Sequence, residues 1–113
     1  MATSTIKGME FKETNLSGGY ISGEWRLSKI GRIVFMQVVN FSSAPAGNFN
    51  LGATIPAEYR PAFSVSFTLT RRANVAHPIA ITVGANGDIP CYNYGTAHTQ
   101  ATPYNQLLCW FTN

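Results

Sequence analysis

Aromatic and polar side chains are concentrated between residues 71 and 106, mostly in predicted loops or at strand ends. Binding residues usually gather in such places, because a rigid scaffold presents them there. An aromatic ring can cover the apolar face of a sugar, while carboxylate, amide, imidazole and guanidinium groups can bond to its hydroxyls. We therefore predict a saccharide-binding site, whose candidate residues are Asp88, Tyr92, Tyr94, His98, Arg71 and His77.

The predicted strand at residues 89–94 is the centre of this site. Because side chains alternate between the two faces of a strand, Tyr92 and Tyr94 share one face and Cys91 points to the other. Asp88 precedes the strand, where its carboxylate can accept hydrogen bonds from a ligand. The two tyrosines either form an exposed aromatic ledge or pack against a second copy of the chain, and the sequence leaves both alternatives open.

The other reactive side chains do not form a catalytic constellation. None of the five acidic residues pairs with another on one strand face at the spacing that glycoside hydrolysis requires. His77 and His98 have no carboxylate or cysteine at ligand spacing, whereas a zinc site needs three or four donors. The sequence also has no nucleophile elbow and no glycine-rich phosphate loop. We expect a binding protein with no enzymatic activity, metal or cofactor.

The cysteines and tryptophans are predicted to be structural. Cys91 and Cys109 are assigned to the core as reduced thiols, because cysteine is often fully buried and the cytosol keeps thiols reduced. A disulfide between neighbouring strands is the alternative. Trp25 opens a predicted strand and is assigned to the core, and Trp110 to the core or to an axis between subunits.

The elements that position these residues are predicted to be strands. Apolar and hydroxyl residues alternate without a break over residues 63–70, which predicts one buried and one exposed face. Residues 32–40 are apolar on both faces, so this strand is central in its sheet or covered by another subunit. Further strands are predicted at residues 24–28, 79–83, 89–94 and 106–112, with less regular patterns at 6–12 and 49–53.

Turn residues separate these runs, and Asn86-Gly87 between two of them is a hairpin signal. A chain of 113 residues has the length of one domain. Short strands at regular spacing predict an all-β fold, namely a small antiparallel β-sandwich of jelly-roll-like topology. We place this domain at residues 16–113 and an N-terminal arm at residues 1–15.

Charge and hydropathy exclude two classes of partner. Only 12% of residues are charged, and the net charge of +3 is scattered, with Arg71-Arg72 as the one adjacent pair of basic residues. A nucleic-acid-binding protein normally groups its cations on one face, so no nucleic-acid partner is expected. The sequence contains no apolar run of about 18 residues and no signal-peptide core. A soluble protein, made in the cytoplasm and not inserted in a membrane, is expected.

Three motifs, in order, resemble the C-terminal domains of bacteriophage tail fibres and receptor-binding proteins. The first is Gly23-x-Trp25 followed by Lys29-x-Gly31-x-x-Val34, the second is Ile55-Pro56-Ala57-Glu58-Tyr59-Arg60-Pro61, and the third is Ala85-Asn86-Gly87-Asp88-Ile89. They are similar in particular to the head domains of receptor-binding proteins from phages of lactic-acid bacteria.

This resemblance implies a homotrimeric head at the tip of the phage tail or baseplate, made in the host cytoplasm and assembled into the virion. It implies reversible attachment to a host cell-wall saccharide, with other tail or baseplate proteins as further partners. The alternative is a structural baseplate or tail-fibre adaptor that binds only other virion proteins.

The second motif also has a physical interpretation. Pro56 and Pro61 restrict the backbone of the segment between them, so that it holds a single conformation. Tyr59 is expected to pack beneath this loop, and Arg60 to pair with Glu58 or with a neighbouring chain. The segment is interpreted as a structural corner rather than a contact site.

Overall fold

The computed structural model describes the backbone of residues 2–6, 9–71, 74–95 and 98–113, and the side chains of residues 11–41, 44–70, 78–95 and 104–113. This part of the chain is nearly all β, with one short 3-10 helix at Ala57–Tyr59. None of its helical structure is long and apolar enough to cross a membrane. The strands are β1 Ala2–Ile6, β2 Met9–Asn15, β3 Glu24–Ile30, β4 Ile33–Ala44, β5 Gly47–Asn50, β6 Val65–Arg71, β7 Asn74–Val83, β8 Pro90–Asn93 and β9 His98–Phe111.

The strands form two antiparallel sheets that are joined at one point. The first sheet has the order β1-β2-β3-β4-β9 and the second has the order β6-β7-β8-β5. Among the residues that the structure describes, the junction is a single pair, Arg71 of β6 with Tyr104 of β9. The strand pairs are nested along the sequence. The innermost pair is β6 with β7, the next pair is β5 with β8, and the outermost pair is β4 with β9. A long hairpin folded on itself in this way is jelly-roll-like, so the prediction of a small antiparallel β-sandwich is confirmed.

The core lies between the two sheets and is built by alternation along each strand. In β4, for example, Val34, Met36 and Val38 are buried. Fully burying such a side chain contributes about 1.5–3 kcal/mol. Trp25 of β3 is 1% exposed and its ring meets that of Phe41 at 5.2 Å between centroids, which confirms its assignment to the core.

The second motif holds the two sheets together. Tyr59 is fully buried, as predicted, and its carbonyl oxygen accepts a 2.7 Å hydrogen bond from the indole Nε1 of Trp110. The predicted pairing of Arg60 with Glu58 is wrong. Glu58 bonds instead to Lys12 Nζ at 2.9 Å, and Arg60 Nε donates to the carbonyl oxygen of Ile55 at 2.8 Å. Arg60 therefore closes its own loop, and Trp110 lies in the core, as the first alternative predicted.

Six of the predicted strands each overlap one observed strand, with shifts at some ends, and the other two are corrected. The run predicted at residues 6–12 falls on two strands, because β1 ends at Ile6 and β2 begins at Met9. The run at 49–53 reaches only to Asn50, where β5 ends. Residues 1–15, predicted as an arm, contain β1 and β2, which pair with each other and extend the first sheet beyond β3.

Candidate functional site

Two neighbouring tyrosines stand on the outer face of the second sheet. Along β8, Cys91 and Asn93 are buried while Tyr92 is 39% exposed, and Tyr94, directly after the strand, is 64% exposed. Their ring centroids lie 4.7 Å apart with an interplanar angle of 60°. The shared face predicted from alternation is therefore observed, and in the single chain the two rings form one exposed aromatic surface, called the tyrosine ledge below.

The ledge is held in place by a buried amide that the sequence analysis did not single out. Asn93 is 2% exposed, and its Nδ2 donates to the carbonyl oxygen of Pro45 at 3.0 Å. Its Oδ1 accepts from the backbone N–H of Gly95 at 2.9 Å. The backbone N–H of Tyr94 donates to the carbonyl oxygen of Pro78 at 3.1 Å. Both ends of the amide are thus bonded, which fixes the turn that follows Tyr94. An Asn at a strand end with a Gly two residues later is a general turn signal and does not reveal this role.

The side chains that the structure describes around the ledge are small and uncharged, and some of them are polar. Tyr92 is paired across the sheet with Asn48 of β5 on one side and with Ala80 of β7 on the other. Farther along the same sheet, the hydroxyl oxygens of Ser66 on β6 and Thr82 on β7 lie 3.1 Å apart. Residues paired across strands point to the same face, so these amides and hydroxyls lie beside the rings. A shallow depression of about 180 Å³ lies next to Tyr92, lined by Asn48, Ala80, Thr82, Pro90, Cys91 and Tyr92.

Asp88 lies at the far end of β8 from the ledge. It closes the hairpin turn, where its backbone N–H donates to Asn86 Oδ1 at 3.1 Å and its Oδ2 accepts from Asn86 Nδ2 at 3.2 Å. A strand rises about 3.3 Å per residue, so Asp88 is about 13 Å from Tyr92 along the chain. The structure therefore does not bring Asp88 into contact with the tyrosine ledge, and the two can share a ligand only if the ligand is extended.

Two other predicted residues lie near the ledge by their backbone positions. His77 directly precedes Pro78, whose carbonyl oxygen receives the N–H of Tyr94. His98 begins β9 and is paired with Ala44, the last residue of β4. The imidazoles of both residues lie outside the described side chains. The backbone nevertheless brings both histidines to the end of the second sheet at which Tyr94 lies.

Arg71 lies at the same end of the sheet. Its backbone is paired with Asn74 of β7 and with Tyr104 of β9, at the point where the two sheets join. Its side chain also lies outside the described residues. Of the six candidate residues, five thus lie toward one end of the second sheet, and Asp88 lies at the other.

A second exposed surface lies on the opposite side of the molecule, on the outer face of the first sheet. Strand β4 lies between β3 and β9 and is therefore central in this sheet, which is one of the two alternatives predicted for residues 32–40. Ile33 is paired with Phe111, and Phe35 with Cys109. Ile33, Leu107 and Phe111 are 38%, 62% and 66% exposed. We call this surface the apolar face; it consists of Ile30, Ile33, Phe35, Leu107, Cys109 and Phe111.

Two grooves border the apolar face. Strand pairing between β6 and β9 is confined to Arg71 and Tyr104 in the part of the chain that the structure describes. A groove of about 460 Å³ lies beside the parts of β6 and β9 that are not paired with each other. It is lined by Ile33, Val65, Ser66, Phe67, Cys109, Trp110 and Phe111. A neighbouring groove of about 430 Å³ is bordered by Phe63, which is 83% exposed. Phe63 was predicted to begin a strand, but β6 begins at Val65.

The two cysteines are free thiols in different environments. Cys91 is buried, and burial raises the pKa of its thiol to about 12. Cys109 is exposed, so its predicted place in the core is wrong. The physical reason is alternation, since Leu108 and Trp110 on either side of it face the core. Neither thiol is paired in a disulfide.

The buried thiol gives the stability of the protein a dependence on pH. The ordinary pKa of 9.0 applies in the unfolded chain, so above about pH 9 the unfolded state loses a proton that the folded state keeps. The contribution of Cys91 to the free energy of unfolding should therefore fall by about 1.4 kcal/mol per pH unit between about pH 9 and about pH 12. Urea unfolding of the wild type and of Cys91→Ala between pH 8 and 10.5 measures this difference, and a constant difference would contradict it.

No family model matches the chain, and a search of curated proteins finds no match either. The resemblance to phage receptor-binding heads stays a prediction from the three sequence motifs. In the part of the chain that the structure describes, no three His, Cys, Asp or Glu side chains come together as a metal ligand set.

Proposed function

We propose that this chain is the receptor-binding head of a bacteriophage tail and that it attaches reversibly to a saccharide of the host cell wall. The tyrosine ledge carries this proposal. Two exposed rings in contact, on a sheet and beside uncharged amides and hydroxyls, offer an apolar surface for a sugar ring together with partners for its hydroxyls. The three motifs support the assignment to a phage tail or baseplate, and the virion is the proposed location.

Attachment needs no covalent step, enzymatic activity, metal or cofactor in this proposal. A shallow, exposed ledge gives a weak individual site, since little of a ligand's surface is enclosed there. Linked copies of a weak site raise the effective concentration of the ligand and hold the particle by avidity. A homotrimer joined to the other tail or baseplate proteins supplies such copies.

The apolar face supports the homotrimer. Leu107 and Phe111 are each more than 60% exposed in the single chain, and Phe111 lines two grooves that apolar side chains can fill. Exposed apolar patches of this kind commonly mark contacts between protein chains. The apolar face and the tyrosine ledge belong to different sheets, so subunit association through the first leaves the second open to the ligand.

Leu107→Asp is expected to convert the trimer to a monomer and leave the fold intact. The aspartate would be solvated in the monomer but buried without a partner in the interface, which is strongly unfavourable. Sedimentation should give the mass of one chain for Leu107→Asp and of three chains for the wild type. Ala85→Asp, which adds the same charge at an exposed turn, should remain trimeric. A monomeric wild type would remove the trimer from the proposal.

The proposed function is tested by binding of the purified protein to intact bacterial cells and to extracted wall polysaccharides. Lactic-acid bacteria are the first hosts to examine. The proposal requires saturable binding that soluble wall saccharide competes away. If well-folded protein binds no wall preparation, the proposed function is overturned.

A structural adaptor is the second candidate function. The grooves beside the apolar face and the 83% exposed Phe63 favour it, because such surfaces also suit a protein partner from the tail. The adaptor would form a stable complex with a tail or baseplate protein and bind no wall polysaccharide. The same cell-binding measurement, followed by a search for a complex with virion proteins, distinguishes the two candidates.

A further inference from the structure

The outer face of the second sheet carries no charged group among its described side chains. Its exposed or half-exposed positions are Asn48, Asn50, Ser66, Thr68, Thr70, Pro78, Ala80, Thr82, Pro90 and Tyr92. The described charged side chains lie on the first sheet or in loops, and several have partners there. Lys12 is paired with Glu58, and Arg26 with Glu24. An anionic polymer would therefore find no described cation on the face that holds the tyrosine ledge.

The exposed side chains of this face are arranged as a track along β8. Pro90, Tyr92 and Tyr94 follow one another at two-residue intervals on the same side of the strand. Their Cα atoms are spaced by about 6.6 Å along the strand direction. They form the apolar centre of the track. Asn48 is paired with Tyr92 on the β5 side, and Asn50 with Pro90.

On the other side of the track, β7 places Ala80 beside Tyr92 and the hydroxyl of Thr82 one pair further along. Thr82 of β7 lines the depression beside Tyr92, and its hydroxyl lies 3.1 Å from that of Ser66. An apolar centre with polar groups on both sides matches a sugar chain, whose rings have apolar faces and hydroxyls at their edges. The long axis of this arrangement is the direction of β8.

The track is longer than one sugar ring. Pro90 and Tyr94 are four residues apart, which is about 13 Å in a strand, and Asp88 lies two residues before Pro90, in the turn that precedes β8. A single sugar covers about one aromatic ring. Only a chain of several sugars can contact Tyr94 and Pro90 at once, and only such a chain can bring the distant Asp88 into the same site.

On the basis of the proposed function, we propose that the ligand is an uncharged oligosaccharide chain that lies along β8 on the outer face of the second sheet. It contacts Tyr94 and Tyr92 with its rings and the amides of Asn48 and Asn50 with its hydroxyls.

The test uses the whole protein and two wall polymers of one host, a neutral polysaccharide and an anionic polyol phosphate, with neutral fragments of increasing length. Binding to the neutral polymer is expected, and it should change less than twofold between about 50 mM and about 500 mM salt, since the described side chains of this face offer an uncharged ligand no ion pair. Affinity for the fragments should rise at least about tenfold from one sugar to four, as contacts are added along the track.

A matched pair of variants locates the chain on the track. Asn50→Ala should weaken the binding of the longer fragments several-fold and leave the binding of a single sugar unchanged, because Asn50 lies beside Pro90 and away from Tyr94. Asn15→Ala, which removes an exposed amide from the first sheet, should change neither.

The outcomes separate this inference from the proposed function. Binding only to the polyol phosphate, with a steep loss in salt, overturns an uncharged ligand but leaves saccharide attachment in place. An affinity that does not depend on fragment length overturns a chain along β8. Failure to bind any wall polymer overturns the proposed function itself, and this inference with it.

Discussion

Gly23→Ala is expected to lower the free energy of unfolding by about 3 kcal/mol or more. Gly23 has a φ of +69°, a conformation that costs an alanine about 1–2 kcal/mol. A Cβ atom at this position would also lie 2.1 Å from the carbonyl oxygen of Val39 and 2.5 Å from that of Asn40. These are backbone atoms of the neighbouring strand and cannot rotate away. The expected loss is a large part of the 5–15 kcal/mol that stabilises a typical domain.

Gly47→Ala is the matched control for this substitution. Gly47 has a similar φ of +73°, but nothing lies within 4 Å of an added Cβ. It should therefore lose only about 1 kcal/mol, the cost of the backbone conformation alone. Urea unfolding of the two variants, followed by circular dichroism, gives the difference, which measures the close approach of β3 to β4. Equal losses would show that this close approach is not what requires a glycine in the first motif.

The strands and the facing of the tyrosines could be predicted because both depend on a local pattern. Alternation with a period of two identifies a strand and also says which side chains share a face. It placed Tyr92 and Tyr94 together and Cys91 on the opposite side, and the structure agrees. The same rule, applied to β9, would have placed Cys109 outside, next to the inward-facing Leu108 and Trp110. The error there came from ranking residue type above position.

The parts that could not be predicted depend on contacts between distant segments. Strand β9 begins at His98 rather than at residue 106, although its first half is polar and contains Pro103. It is held there by pairing with the end of β4, where His98 lies opposite Ala44. The bonds from Asn93 to Pro45 and from Lys12 to Glu58 likewise join residues more than 40 positions apart. No local pattern signals such partners.

In the candidate site, too, closeness along the sequence does not predict closeness in the fold. Asp88 and Tyr92 are close in sequence and were predicted to belong to one site, but an extended segment separates them by about 13 Å. His98 is farther from Tyr92 in sequence than Asp88 is, yet the turn after Tyr94 returns the chain toward the end of the sheet that holds the ledge. Proximity in sequence is therefore a poor guide to which residues contact one ligand in an all-β fold.

Tyr94→Ala is expected to weaken binding of the wall saccharide at least about tenfold, which is about 1.4 kcal/mol. Its ring is 64% exposed, so truncation should cost the folded protein little stability while it removes half of the ledge. Exposed aromatic anchors commonly contribute this much or more to binding. Tyr92→Ala should act similarly, and because the two rings are in contact, the double variant should lose less than the two single losses added together.

Tyr20→Ala is the matched control, because Tyr20 is also exposed, at 45%, but its ring packs against Phe49, which points to the opposite face of β5 from Asn48 and Asn50. Calorimetry with a short saccharide fragment measures the loss at a single site, where Tyr20→Ala should match the wild type. Binding to whole cells measures the linked sites together. In a trimer, a tenfold loss per site should reduce attachment to cells by more than tenfold, because each linked contact is weakened. Unchanged affinity in folded Tyr94→Ala and Tyr92→Ala would place the ligand elsewhere. An equal loss in calorimetry and in binding to whole cells would show that attachment uses one site at a time.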